Sequence, residues 1–184
     1  MKKITYRFSF ILILACAAGL VGCSGGTDTT ANTSINTNNT NVPPPVTANW
    51  KKDVTPADIA RIKWLEGTWR GSGEGEEGFY ERYKFEDTSL IVESFEDATL
   101  KTVKDRTRYA LVNGEFRFTT TDARRVAASE ITDDHIQFVP IVGEGNSYRF
   151  ERQPGGKWRA VLEWKATADK PAKQTIYMME PYKK

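Results

Sequence analysis

Trp64-Leu65-Glu66-Gly67-Thr68-Trp69-Arg70-Gly71-Ser72-Gly73-Glu74-Gly75 is the stretch where the hydrophobic period of this chain changes. Upstream, Thr55-Pro56-Ala57-Asp58 reads as an N-cap, a proline at the first helical position and an acidic residue at the third. Ile59, Ile62 and Leu65 or Trp64 follow at helical spacing, and Gly67 stops the helix. Downstream the period is two. Phe116 and Phe118 alternate with Arg117 and Thr119, and Tyr148 and Phe150 with Arg149 and Glu151. Trp158, Ala160, Leu162 and Trp164 alternate with Arg159, Val161, Glu163 and Lys165, the pattern of strands with one apolar face.

Turn residues divide this region at short intervals: Glu86-Asp87-Thr88, Asn113-Gly114, Asp133-Asp134, Gly143-Glu144-Gly145-Asn146, Pro154-Gly155-Gly156 and Asp169-Lys170-Pro171. About ten strands result, near 68–76, 78–86, 89–97, 101–111, 115–121, 125–132, 135–142, 147–152, 157–168 and 173–181. No gap between them has the length of a crossover helix, so the sheet is expected to be an antiparallel meander. A long meander with one apolar face loses its edges most simply by closing into an up-and-down barrel. The predicted fold is therefore all-β, an antiparallel barrel of about ten strands preceded by a short helix.

The Gly67-x-Trp69 start resembles that of lipocalins and other calycin-like barrels. Within that group Gly67-Thr68-Trp69-Arg70-Gly71-Ser72-Gly73 is most similar to the Gly-x-Trp-x-Gly-x-Gly start of nitrobindin-like proteins. The order of elements extends the resemblance over 55–184, although the motif covers one corner alone. If Trp69 points inward, strand parity points Gly71, Gly73 and Gly75 inward too, and Arg70, Ser72 and Glu74 outward. Trp69 then closes one end beneath the helix that carries Trp64. The bare glycine wall either opens volume for a ligand or lets the strand bend at barrel closure. Tyr83, Tyr109, Phe118, Phe138, Tyr148 and Trp164 complete the inward set. They line a cavity for a small apolar or amphipathic molecule, or they simply fill the core.

The resemblance to nitrobindins implies haem held by a histidine near the end of the barrel. The last strands here have none; the single histidine, His135, follows Asp133-Asp134 at a turn, so no cofactor is expected. Tyr177, Met178 and Met179 read as core rather than axial ligands. Lipocalins also set a late arginine across the tryptophan. This chain has no arginine after Arg159, and Lys173 is the substitute in reach. No nucleophile elbow, Ser-His-Asp set, metal-spaced cluster or phosphate loop is present, so an enzyme is not expected. Glu76, Glu77, Glu81, Glu93 and Glu96 are assigned to strand ends or outer faces, with an inward Glu93 opposite Arg106 or Arg108 as the one exception of interest.

The N-terminus supplies an address. Met1-Lys2-Lys3 and Arg7 precede an apolar run, Phe8–Ala18, too short to cross a membrane comfortably and suited to a secretory signal. It ends in Leu20-Val21-Gly22-Cys23, which resembles the bacterial lipoprotein signal and implies acylation of Cys23. Residues 1–22 are then removed with Cys16, and no thiol is left free. Ser24, rather than aspartate, follows the cysteine and implies outer-membrane sorting, facing the periplasm, in a Gram-negative cell. Residues 23–54, rich in Thr, Asn, Gly and Ser and containing Pro43-Pro44-Pro45, read as a tether unable to bury a core. Residues 55–184 are the barrel domain. Loss of Lys2, Lys3 and Arg7 lowers the basic count from 26 to 23 against 24 acidic residues, a balance of −1. That charge excludes the electrostatic footprint of a nucleic-acid binder. The sequence thus describes a monomeric, membrane-anchored envelope lipoprotein whose partner is a small molecule inside a barrel. A structural or interaction lipoprotein with a filled barrel core and no ligand is the alternative, and haem binding or an unrecognised enzyme is a minor one.

Overall fold

A computed structural model of the chain describes residues 49–75, 77–118, 126–141 and 146–183. The segment expected to be a signal peptide, Cys23, Glu76 and the turn expected around Gly143-Glu144-Gly145 lie outside those residues. The described chain opens with α1 (Pro56–Arg61) and a 3₁₀ turn, Lys63–Leu65. Ten strands follow: β1 (Gly67–Gly73), β2 (Phe79–Glu86), β3 (Ser89–Phe95), β4 (Val103–Val112), β5 (Glu115–Phe118), β6 (Val126–Ile131), β7 (His135–Pro140), β8 (Ser147–Gln153), β9 (Lys157–Trp164) and β10 (Lys173–Pro181).

Every strand pairs antiparallel with its neighbours in sequence, and β10 returns to pair with β1, so the sheet is a closed barrel. In that seam Trp69 lies opposite Pro181 and Gly73 opposite Tyr177. Odd-numbered strands run away from the end that carries α1, called here the helix end. Even-numbered strands run back from the distal end.

The start of α1 is set by local chemistry. The Thr55 side chain accepts from the Asp58 N–H, and the Asp58 carboxylate accepts from the Thr55 N–H at 2.9 Å. This reciprocal pair satisfies donors that the first turn cannot. Ile62 then leaves helical angles (φ −100°, ψ 11°), and the chain tightens into the 3₁₀ turn instead of continuing as α-helix to Gly67. The result buries Ile59, Ile62 and Leu65 almost completely against the barrel. The Trp69 indole N–H donates to the Leu65 carbonyl at 2.8 Å and ties β1 to this plug. Trp158 sits beneath, fully buried, edge-on to Trp69 at 5.8 Å and to Trp64 at 6.5 Å.

Order reaches further upstream than the boundary at residue 55. Trp50 Nε1 donates to Glu115, the Lys51 N–H to the Ala128 carbonyl and the Val54 N–H to the Gly114 carbonyl. These residues, expected in the tether, are strapped across the β4–β5 hairpin and β6. The hairpin itself turns through Asn113 (φ 52°) and Gly114 (φ 78°), the backbone a two-residue type I′ connection requires. A Cβ at Gly114 would lie 2.2 Å from the Lys52 carbonyl oxygen.

The glycine wall is not bare. A Cβ on Gly71 would lie 2.1 Å from the Phe79 ring, and one on Gly73 2.8 Å from the Tyr177 ring. Those two rings meet edge-on at 5.4 Å and occupy the space that the glycines vacate. Gly75, expected on the inner wall, has left the strand. It is exposed, with φ 71° in the β1–β2 connection and nothing near its Cβ direction. We expect Gly114→Ala to be the costliest alanine substitution, about 2–4 kcal/mol, because neither its left-handed backbone nor the facing carbonyl can yield. Gly71→Ala should cost about 1–3 kcal/mol by displacing Phe79, and Gly75→Ala about 1 kcal/mol. Urea midpoints ranked in another order would contradict this packing.

Candidate functional site

The inner wall differs between its two halves. Toward the helix end, Leu90, Phe116, Ile136, Trp158 and Met179 are buried, Phe85 and Leu111 at the β2–β4 rim are partly exposed, and Arg152 and Pro181 at the outermost rim are exposed. Toward the distal end, the inward residues Phe79, Asp105, Thr107, Phe118, Leu162, Thr175 and Tyr177 are half-buried, while Val126 and Pro140 on the same face are buried. Between the halves lies a belt of rings. Phe138 stacks on Tyr148 at 4.9 Å and tilts against Tyr109 at 4.9 Å, while Tyr83 stands edge-on to Trp158 at 5.2 Å.

Of the residues expected to face inward, Trp69, Tyr83, Tyr109, Phe138 and Tyr148 are buried in this one cluster, and Phe118 packs against it. Gly71 and Gly73 stand on the same wall beneath their aromatic covers. Trp164 does not join them. It sits where β9 passes the distal rim, 36% exposed, with Lys173 Nζ 5.5 Å from its ring centre. The alternation that runs inward through Trp158, Ala160 and Leu162 continues to Trp164, but the barrel wall ends first. Lys173 is likewise no substitute for a lipocalin-type arginine. It pairs with Trp164 at one end of the barrel, whereas Trp69 pairs with Pro181 at the other.

The belt contains a carboxyl that sequence reasoning had placed outside. Glu81, 1% exposed, lies between Trp69 on β1 and Ser94 on β3, on the inner face. Its Oε2 accepts from the Tyr83 hydroxyl at 2.8 Å and its Oε1 from the Ser94 hydroxyl at 3.1 Å. Asp105 stands opposite Ser94, and Thr107 donates to Asp105 at 3.5 Å, so a second carboxyl shares the face. The Tyr148 hydroxyl donates to that of Tyr109 at 3.0 Å. The clue to Glu81 was available in the chain: it is two residues from Tyr83, and a strand that turns Tyr83 inward turns Glu81 inward as well.

Burial pushes the Glu81 carboxyl up to about 7, with the Asp105 charge adding to the rise and the hydrogen bonds from Tyr83 and Ser94 opposing it. Burial also raises the hydroxyls of Tyr83, Tyr109 and Tyr148, which stay protonated donors.

Glu93 is the opposite case. It is 5% exposed yet faces outward, covered by its own ion pairs: Arg106 at 2.5 Å, Arg82 at 3.5 Å and Lys84 at 3.6 Å. Burial pushes its carboxyl up, but the Arg106 hydrogen bond and the Lys84, Arg106 and Arg82 charges outweigh that and hold it below the usual range. A shallow outer groove of about 300 Å³ runs past it, lined by Lys84, Glu86, Ile91, Arg106 and Arg108. Glu151 is similarly held between Arg149 and Arg159 on the outer face of β8 and β9. His135 closes the β6–β7 turn, its Nδ1 3.1 Å from the Thr132 hydroxyl and its Nε2 3.1 Å from Glu130. No group of carboxylates, histidines or cysteines arranged for a metal ion occurs among the described residues.

Fold and wall together define a closed antiparallel barrel with an aromatic, carboxyl-bearing interior. No protein-family model matches the chain, and no curated protein matches its sequence.

The folded chain holds a proton on Glu81 that an unfolded glutamate, with its ordinary value of 4.5, has released. Stability contributed by the neutral carboxyl is therefore full below about 4.5 and is lost as pH rises through about 7. We expect the stability of Glu81→Gln relative to wild type to rise by on the order of 3 kcal/mol between pH 4.5 and pH 8. Parallel pH profiles in urea denaturation would remove Glu81 as the source.

Proposed function

We propose that this chain is an envelope lipoprotein, anchored to a membrane by acylated Cys23, that carries a small apolar or amphipathic molecule in the distal half of its barrel. The observation that supports the ligand reading is the asymmetry of the inner wall. One half is sealed by Trp69, Trp158 and the α1 plug, and the other keeps seven inward residues half-buried. A wall of rings interrupted by a few hydroxyls and carboxyls suits a molecule with a large apolar body and a small polar head. The resemblance of the Gly67-x-Trp69 corner to lipocalins points the same way, as do the lipoprotein-like Leu20-Val21-Gly22-Cys23 and the polar segment behind it. Several acyl chains on one cysteine would hold the domain firmly at a bilayer, each buried methylene contributing about 0.8 kcal/mol.

The filled barrel is the second reading, and one observation favours it: the Phe79 and Tyr177 rings occupy the space over Gly71 and Gly73. Native mass spectrometry of the purified protein separates the two. Carrying a ligand predicts a bound mass above that of the chain, and indole fluorescence from Trp69 and Trp158 that responds to fatty acids or flat aromatic compounds. A chain mass alone, with no response across the panel, supports the filled barrel. Independently, Cys23→Ser should abolish incorporation of labelled palmitate and release the protein from the membrane fraction. A variant that is still labelled would end the anchoring reading.

A further inference from the structure

We propose that the Glu81 belt is a head-group site for an organic ammonium, with Glu81 and Asp105 facing the cation and the aromatic wall taking the apolar body. This deepens the ligand reading above and rests on it.

Three features of the interior carry the proposal. First, Glu81 is a fully buried acid without a countercharge. Its neighbours from every strand packed around it are Trp69 and Gly71 on β1, Tyr83 and Phe79 on β2, Ser94 on β3, and Asp105, Thr107 and Tyr109 on β4. Tyr148 faces the same space from β8 through its bond to Tyr109. The interactions of Glu81 among the described residues are with neutral hydroxyls and with another acid, and none is with a lysine, arginine or histidine. The outer acids Glu93 and Glu151 show the contrast, because this same chain gives each of them two or three cations.

Second, the acceptor capacity is unfilled. A carboxylate offers about four lone-pair positions, and Tyr83 and Ser94 occupy two of them at Glu81. A buried carboxyl with open acceptor positions calls for a donor that its neighbours among the described residues do not supply.

Third, the route to the carboxyls is from the side that the wall leaves accessible. Asp105 and Thr107 are half-buried, and so are Phe79, Phe118 and Tyr177 around them. The negative faces of these rings favour a cation over an anion. An ammonium donates to the free carboxylate positions, supplies the missing countercharge and leaves its chain among the rings. A carboxylate head would meet two acids at the same place, and a neutral head would gain only hydrogen bonds.

Calorimetric titration of the protein with octylammonium, octanol and octanoate tests this. At pH 8 octylammonium should bind at least about tenfold more tightly than octanol, and octanoate weakest of the three. Glu81→Gln should cost octylammonium about tenfold and leave octanol unchanged. Asp105→Asn, at a half-exposed position whose loss the fold tolerates more easily, should weaken the same ligand by a smaller factor. Octylammonium affinity should also fall as the pH is lowered from 8 to 6, because protonation of Glu81 removes the anion. If octanol or octanoate binds as tightly as octylammonium, or if neither variant discriminates, the ammonium assignment is overturned and the ligand-binding barrel stands. If none of the three binds, the ligand reading itself fails and takes the assignment with it.

Discussion

Closure of the sheet between β1 and β10 is the constraint on which the other features of this molecule depend. An open ten-strand meander would leave the first and last strands with unpaired backbone groups, each a template for aggregation. Pairing Trp69 with Pro181 and Gly73 with Tyr177 satisfies those groups and simultaneously defines an inside. Closure also forces β1 to lie tightly against its neighbours. Gly71 and Gly73 allow this because they have no Cβ, and Phe79 and Tyr177 then lay their rings on the exposed backbone. The seam is thus stabilised by hydrogen bonds along it and by two aromatic rings across its inner surface.

The plug at the helix end follows from the same seam. Trp69 can reach the Leu65 carbonyl because the capping box and the 3₁₀ turn deliver the chain to β1 at that angle. Ile59, Ile62 and Leu65 then share one core with Trp158 and Met179. The strap from Trp50 to Val54 covers the neighbouring rim through backbone bonds to Gly114 and Ala128. One end of the cylinder is therefore built from several independent contacts, while at the other seven of the wall residues keep partial access to solvent.

Charge is handled in two contrasting ways. On the outer face, the buried Glu93 and the half-buried Glu151 are neutralised by neighbouring cations, and their carboxyls stay ionised. Inside, Glu81 is stabilised by hydroxyls and by its own proton. Desolvation of an isolated carboxylate costs far more than hydroxyl hydrogen bonds return, so the neutral form gains ground until near neutral pH. That arrangement leaves the interior electrically adjustable, which an all-apolar core would not be.

Strand order, antiparallel pairing and closure could be read from the chain, because period-two alternation and regularly spaced turn residues are local signals of an all-β meander. Asn113-Gly114 and Pro154-Gly155-Gly156 mark their turns for that reason, through backbone angles that few residues adopt. Parity also identified Trp69, Tyr83, Tyr109, Phe138 and Tyr148 as interior. It failed where register ran out: Gly75 had already entered a turn, and Trp164 had already passed the rim. Acidity places Glu81 on the outer face, whereas parity with Tyr83 two residues on places it inside, where the structure has it. The sequence by itself determined the elements, their order and the alternation of faces, since these depend on residues close along the chain. Only the tertiary structure decided that the glycine wall is covered, that residues 50–54 are strapped down, and that Glu81 has hydroxyls but no cation for company among the described residues. Each of those facts depends on which distant strands meet across the barrel, and at what height.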